Sequence, residues 1–150
     1  MQKKEDNGEA IAQSMLTMAK LKVPIICVVI GEGSSGGALA LGVGDRIVML
    51  ENAVYSILSP EGFASILYKD ASKSQEAAEK MKMTAKDLQN LKVIDKIVNE
   101  PENGVQEETI QEVAQELKKY FIKEIKQLQK KEENTLLEER YQKFRKIGTM

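Results

Sequence analysis

The feature that most constrains this chain is a junction. Six consecutive apolar residues, Ile25-Ile26-Cys27-Val28-Val29-Ile30, run straight into Gly31-Glu32-Gly33-Ser34-Ser35-Gly36-Gly37. A run of that length rich in β-branched residues, opened by Pro24 and closed by glycine, reads as a strand buried on both faces. Ala38-Leu39-Ala40-Leu41 follows as a short helix of small residues, stopped by Gly42 and Gly44. A strand that feeds a glycine turn and then a helix start leaves backbone N–H groups unpartnered, and the aligned peptide dipoles there favour negative charge. Side chains are small or absent at Ser34, Ser35, Gly36 and Gly37, so a ligand reaches the main chain itself. Such a device binds an anionic oxygen without any ionisable side chain.

That property fits the composition, because the chain contains no histidine. A Ser-His-Asp or Cys-His centre cannot be assembled from this chain alone. A structural zinc site would lack its usual ligands, and no metal is expected. Cys27 is the only cysteine, which excludes an internal disulfide and makes a reducing, intracellular compartment the expectation. Inside an apolar run it reads as a packed, inert thiol. A net charge of −1 gives no electrostatic reason to expect nucleic acid or an anionic membrane. No segment reaches the roughly 18 apolar residues of a membrane span. Met1–Lys4 leads into polar residues rather than a signal-peptide core.

The charge is unevenly placed. Residues 23–58 carry few charges and should be buried, whereas residues 100–146 are dense in Glu, Lys, Arg and Gln and should be largely solvated. Apolar spacing predicts a helix over 9–21, with Ile11, Met15, Met18 and Leu21 on one side. Strands are predicted over 25–30, 45–50, 54–58 and 94–98. Ser59 is placed to cap a helix that has Pro60 at its first position and runs to about Tyr68. A further helix covers 75–81, and Thr84-Ala85-Lys86-Asp87 opens another, in the manner of a capping box, that ends near Leu91. Beyond a loop at 100–104, Ile110, Val113, Leu117, Phe121, Ile125 and Leu128 form one face of a long amphipathic helix. Glu133-Asn134-Thr135 breaks the pattern, and a last helix turns Leu137, Tyr141, Phe144 and Ile147 inward. Strand-helix alternation makes the chain α/β, with a helical C-terminal appendix.

Gly31-x-Gly33-x-x-Gly36 is also the spelling of a dinucleotide fingerprint, and Glu51 falls where a ribose-binding acid would sit. Length argues against that reading. A βαβ crossover needs at least about 10–12 residues, and the helix available between Gly36 and Gly44 is far shorter. The turn also lacks the Gly-Lys-Ser/Thr ending of a nucleotide P-loop. Glu32 is read as shaping the turn, Asp45 as closing it into the next strand, and Ser59-Pro60-Glu61-Gly62 chiefly as a helix cap.

The segments VIGEGSSGGALALGVGDRIVML, YSILSPEGFASILYKDASKSQEAAEKM and LKVIDKIV resemble the alpha subunit of the multi-subunit acetyl-CoA carboxylase carboxyltransferase of bacteria and plastids. Arg140-Tyr141-Gln142-Lys143-Phe144 matches that family's C-terminal helix. The resemblance covers essentially the whole chain, and GEGxSGGALAxGVGD with YSxxSPEG is a specific pattern. Two departures stand out. Ser34 occupies a position where the family usually has glycine, and the family's subunit is roughly twice as long.

The resemblance implies an α/β fold of the crotonase-type spiral, incomplete at the N-terminus. Residues 1–99 would be the C-terminal part of the carboxyltransferase domain and residues 100–150 a C-terminal helical extension. It implies transfer of a carboxyl group from carboxybiotin to acetyl-CoA, forming malonyl-CoA for fatty acid synthesis. Backbone N–H groups of Gly36 and Gly37 would form the oxyanion hole, and Gly33, Ser34 and Ser35 the turn that meets carboxybiotin. The cofactor implied is biotin on a separate carrier protein, with no metal in this chain. The implied partners are a carboxyltransferase beta subunit, the biotin carboxyl carrier protein and the CoA substrates, in an alpha2beta2 assembly in the cytoplasm or a plastid stroma. The rival readings are a dinucleotide-dependent oxidoreductase and a non-catalytic structural piece. A serine peptidase fails on the missing histidine unless the base comes from outside this chain.

Overall fold

A computed structural model describes residues 7–149; the Met1–Lys4 stretch lies outside the described residues. The fold is organised by its most apolar strand. In β3 (Arg46–Leu50), Ile47, Val48, Met49 and Leu50 are each no more than 2% exposed. β1 (Ile26–Val29) lies parallel to β3 on one side, with Cys27 opposite Ile47, and β5 (Lys96–Val98) lies parallel on the other, with Met49 opposite Ile97. A central strand covered on both faces is where a continuous apolar run belongs. Around this sheet the core closes with Ala85 and Leu88 of α5 (Ala85–Asn90) and with Val113, Leu117 and Tyr120 of α6 (Ile110–Leu128). Phe144 of α7 (Glu133–Lys146) packs against the same cluster. The C-terminal helices thus share the sheet's core.

A second, two-stranded parallel sheet joins β2 (Glu32–Ser34) to β4 (Val54–Ser56). Between β2 and β3 lies α2 (Ser35–Leu41), against which α1 (Asn7–Lys20) packs. After β4 come α3 (Pro60–Leu67), a single 3-10 turn at Ala71–Lys73, and α4 (Ser74–Met81).

Four details depart from the sequence reading. The first is β1, which is half-buried rather than covered on both faces, with Ile30 beyond it 69% exposed. Among the described residues it is the edge of its sheet, paired with β3. Second, Glu32–Ser34 form a strand inside the expected turn. Glycine and serine have little strand preference of their own; pairing with β4 imposes the conformation.

Third, on α6 the inward face holds Tyr120 and Glu124 in place of Ile110 and Ile125, which are exposed. Arg46 Nε donates to Glu124 Oε2 at 2.7 Å and draws that carboxylate in. Fourth, Glu133 begins α7 rather than breaking a helix, and the interruption falls at 129–132. The buried positions of α7 are Leu136 and Arg140, four apart on one face, while Tyr141 is 57% exposed.

The α6 packing carries a pH signature. Burial, reinforced by the Glu124 and Asp95 carboxylates and opposed by Arg46, pushes the Tyr120 phenol up to about 12. A folded value above the unfolded one near 10 favours the protonated form in the native state. Its stabilisation is therefore complete below about pH 10 and is lost as pH rises toward 12. Denaturation midpoints across that window should fall more steeply for the wild type than for Tyr120→Phe; parallel curves would remove Tyr120 from the alkaline transition.

Candidate active site

The junction singled out in the sequence folds as a strand-turn-helix corner. The Gly31 carbonyl accepts from the Val54 N–H at 3.0 Å, and β2 then runs beside β4 with Gly33 opposite Tyr55 and Ser34 opposite Ser56. Ser34 is extended (φ −133°, ψ 153°), and the chain turns at Ser35 through a left-handed φ of 62°. Only small or short polar residues tolerate that region readily, and a β-branched side chain there is a true outlier. Ser35→Val should therefore lower stability by about 1–2 kcal/mol, read from a denaturant midpoint, whereas Ser35→Gly should not. Equal losses in both variants would refute the strain.

The helix start beyond this corner is open. Ser59 caps α3, its Oγ accepting from the Gly62 N–H at 3.2 Å. Thr84 caps α5 by accepting from the Asp87 N–H at 3.3 Å, and its hydroxyl donates to the Asp87 carboxylate at 2.8 Å. Ser34 has the same position before α2 but makes no side-chain capping bond. The first N–H groups of a helix have no partner within it, so those of Gly36 and Gly37 remain available to something else. Around Gly37 the space is empty: a Cβ built there meets nothing within 4 Å. Gly36 differs, because a Cβ there would lie 2.7 Å from Ile11 Cδ1 of α1.

Tyr55 supports the corner from beneath. Its hydroxyl donates to the Ala38 carbonyl at 3.2 Å; its ring crowds the place of a Cβ on Gly33, and its hydroxyl that of a Cβ on Gly42. Burial pushes its phenol up, keeping it a neutral donor. Between β1, the Gly31–Gly33 segment and α2 lies a cavity of about 360 Å³. Apart from Tyr55, Glu32 and Cys27 its walls are apolar or glycine.

The expected site residues are thus consecutive around one corner. Gly33 is a strand residue facing Tyr55 and Val29 and borders the cavity; Ser34 and Ser35 make the bend; Gly36 and Gly37 open the helix. Glu32 is exposed. Glu61 lies exposed in the first turn of α3, where its charge suits the helix dipole. Cys27 is half-buried against Gly44, and burial raises its thiol above the ordinary cysteine value, in keeping with a packed thiol. Glu51 holds the Glu100 N–H at 3.2 Å and Asn52 N–H donates to Glu100 Oε1 at 3.0 Å, so that turn is tied to the end of β5. β1 and β3 are parallel neighbours joined through α2, but that connection is interrupted by β2 and its helix is only seven residues long, shorter than a dinucleotide-binding crossover helix.

Asp45 does more than close a turn. Only 4% exposed, it accepts the Ile25 N–H on Oδ2 at 2.7 Å and pairs bidentately with Arg140, Nε to Oδ1 at 2.9 Å and Nη2 to Oδ2 at 2.8 Å. Arg140 was legible only as part of a C-terminal match, and nothing local in RYQKF signals burial.

No helix among the described residues is long and apolar enough to cross a membrane, and no group of three or more candidate metal ligands occurs among them. In solved structures the same fold occurs in a Pseudomonas malonate decarboxylase hetero-tetramer in complex with coenzyme A, at TM-score 0.58 and 15% identity over 71% of this chain and 45% of that one. It occurs again in transcarboxylase 12S, at TM-score 0.52 and 19% identity over 59% of this chain and 19% of that one. These place the fold among crotonase-type α/β proteins. Sequence relatives are far nearer. The acetyl-coenzyme A carboxylase carboxyl transferase subunits beta/alpha protein of Natranaerobius thermophilus is 59% identical over 94% of this chain and 23% of its own length. The carboxyl transferase subunit alpha of Clostridium acetobutylicum is 56% identical over 94% of this chain. The chain spans 51% of that Clostridium protein, about half its length. A family model described as acetyl co-enzyme A carboxylase carboxyltransferase-like matches residues 2–148, and the chain belongs to that family, with the carboxyl transferase alpha subunits as its relatives.

Proposed function

We propose that this chain supplies the oxyanion-binding wall of a biotin-dependent carboxyltransferase that converts acetyl-CoA to malonyl-CoA. The observation that carries the reading is the start of α2, which has no side-chain cap from Ser34, so that the Gly36 and Gly37 N–H groups have no partner within the helix, and where Gly37 stands in open space. Carboxybiotin, borne on a separate carrier protein, would supply the carboxyl group. The open space at Gly37 leaves room for such a ring to lie against the main chain, room that a side chain there would occupy. The Gly36 and Gly37 N–H groups would donate to its ureido oxygen, where they would stabilise negative charge. Gly33, Ser34 and Ser35 form the adjoining turn against which the ring lies. No proton need be moved by this chain, which agrees with its lack of histidine.

The CoA thioester and its enolate are assigned to a beta subunit. That partner is supported by the Natranaerobius relative, whose name joins beta and alpha in one protein. A biotin carboxyl carrier protein, an alpha2beta2 assembly and a cytoplasmic location complete the proposal. The division into a carboxyltransferase part over 1–99 and a helical extension over 100–150 belongs to it too.

The test is the reverse reaction, biotin-dependent decarboxylation of malonyl-CoA. It is measured with a cognate beta subunit, with and without the remaining alpha-subunit sequence. Turnover in either mixture is the expected result. A folded assembly with no turnover in both would sink the reading and leave a structural piece.

A further inference from the structure

The geometry points to Arg140 as a positioning residue for the oxyanion corner, acting at a distance through α1; the inference rests on the carboxyltransferase reading above. All five guanidinium N–H donors are engaged. Besides the two bonds to Asp45, Nη1 donates to the Met18 and Leu21 carbonyls at 3.0 and 2.7 Å, and Nη2 to the Val23 carbonyl at 2.9 Å. One side chain on α7 therefore gathers the end of α1, the connector into β1 and the entry to β3. A guanidinium at a helix end also complements the dipole there. The side chain is 2% exposed, so the arrangement is fixed by packing as well as by hydrogen bonds.

The same helix reaches the catalytic corner. Ile11 lies seven residues before Met18, about 10 Å along α1 at 1.5 Å per residue, and its Cδ1 fills the space that a Cβ on Gly36 would occupy. Arg140 fixes where α1 ends, α1 fixes where Ile11 presses, and Ile11 sets how the Gly36 N–H is presented. Lysine cannot substitute, since its three donors on a flexible stem do not reproduce a planar fork serving four acceptor groups.

The experiment uses the assembled carboxyltransferase and reads kcat and KM for malonyl-CoA in Arg140→Lys, Ile11→Val and the double variant. All assays run well below each variant's melting temperature. Arg140→Lys should lower kcat by on the order of ten- to a hundred-fold, the scale of sub-ångström misplacement of a reacting group, with KM unchanged. Ile11→Val should lower kcat in the same way, and adding Arg140→Lys to it should produce less than the product of the two losses. An unchanged kcat in either single variant, or strictly multiplicative losses, would overturn the route through α1 while leaving the oxyanion assignment intact. If Arg140→Lys does not assemble, Ile11→Val alone decides, because it leaves the guanidinium bonds untouched. Inactivity of the wild-type assembly would instead overturn the underlying reading.

Discussion

Gly37→Val is expected to abolish carboxyl transfer without unfolding the chain. The two halves of that expectation have separate causes. Nothing lies within 4 Å of a Cβ at this position, and its backbone φ is not left-handed, so the fold has room for the side chain. Valine is also a better helix residue than glycine by a few tenths of a kcal/mol, so thermal melting should stay within a degree or two of wild type. The isopropyl group would stand directly in the approach to the first-turn N–H groups. Removing one such donor from an oxyanion site typically lowers turnover by about 10²–10³, and blocking access to two should do at least as much. The assay is biotin-dependent malonyl-CoA decarboxylation in the assembled enzyme. Full turnover with normal assembly would place the oxyanion elsewhere. Gly36→Ala makes a poorer probe, because its methyl group must first displace Ile11 and so mixes packing with chemistry.

Much of this corner was readable in the sequence because its determinants are local. The helix caps at Ser59 and Thr84 form as their spacing predicts, with Pro60 at the first position of α3. The short Gly36–Gly44 interval holds a correspondingly short helix, the seven-residue α2. What escaped was set by partners distant in sequence. Glu32–Ser34 become a strand only because β4 lies beside them, and β1 is half-open because it is an edge. Val113, Leu117, Leu128 and Phe144 face inward as their spacing predicts, but Glu124 and Arg140 escape for one shared reason: periodicity sorts residues by hydrophobicity, and here charged side chains are buried. Glu124 goes inside to meet Arg46, 78 residues away, and Arg140 to meet Asp45, 95 residues away. A buried ion pair has no signature in either segment alone.

Those buried charges also predict where the fold is most vulnerable. Arg140→Met should lower stability by about 3–5 kcal/mol, the usual consequence of removing one member of a buried pair, which is a large share of a typical domain's total of about 5–15 kcal/mol. The loss has two sources. The Asp45 carboxylate would lose both guanidinium bonds and keep the one from the Ile25 N–H, and the carbonyls of Met18, Leu21 and Val23 would lose their donors together. Asp45→Leu should be comparably damaging, since it strands the guanidinium. The double variant should lose much less than the sum, because neither charge is then left uncompensated. Because the pair is buried, the loss should persist in high salt. The exposed pair Lys22–Glu133, 2.9 Å apart with both side chains around 60% exposed, supplies the control, and its removal should change stability by less than about 1 kcal/mol. Urea midpoints for the four variants decide the matter. A small effect of Arg140→Met, or an effect that disappears with added salt, would mean that α7 is held to the sheet chiefly by Leu136 and Phe144 and that the guanidinium is dispensable.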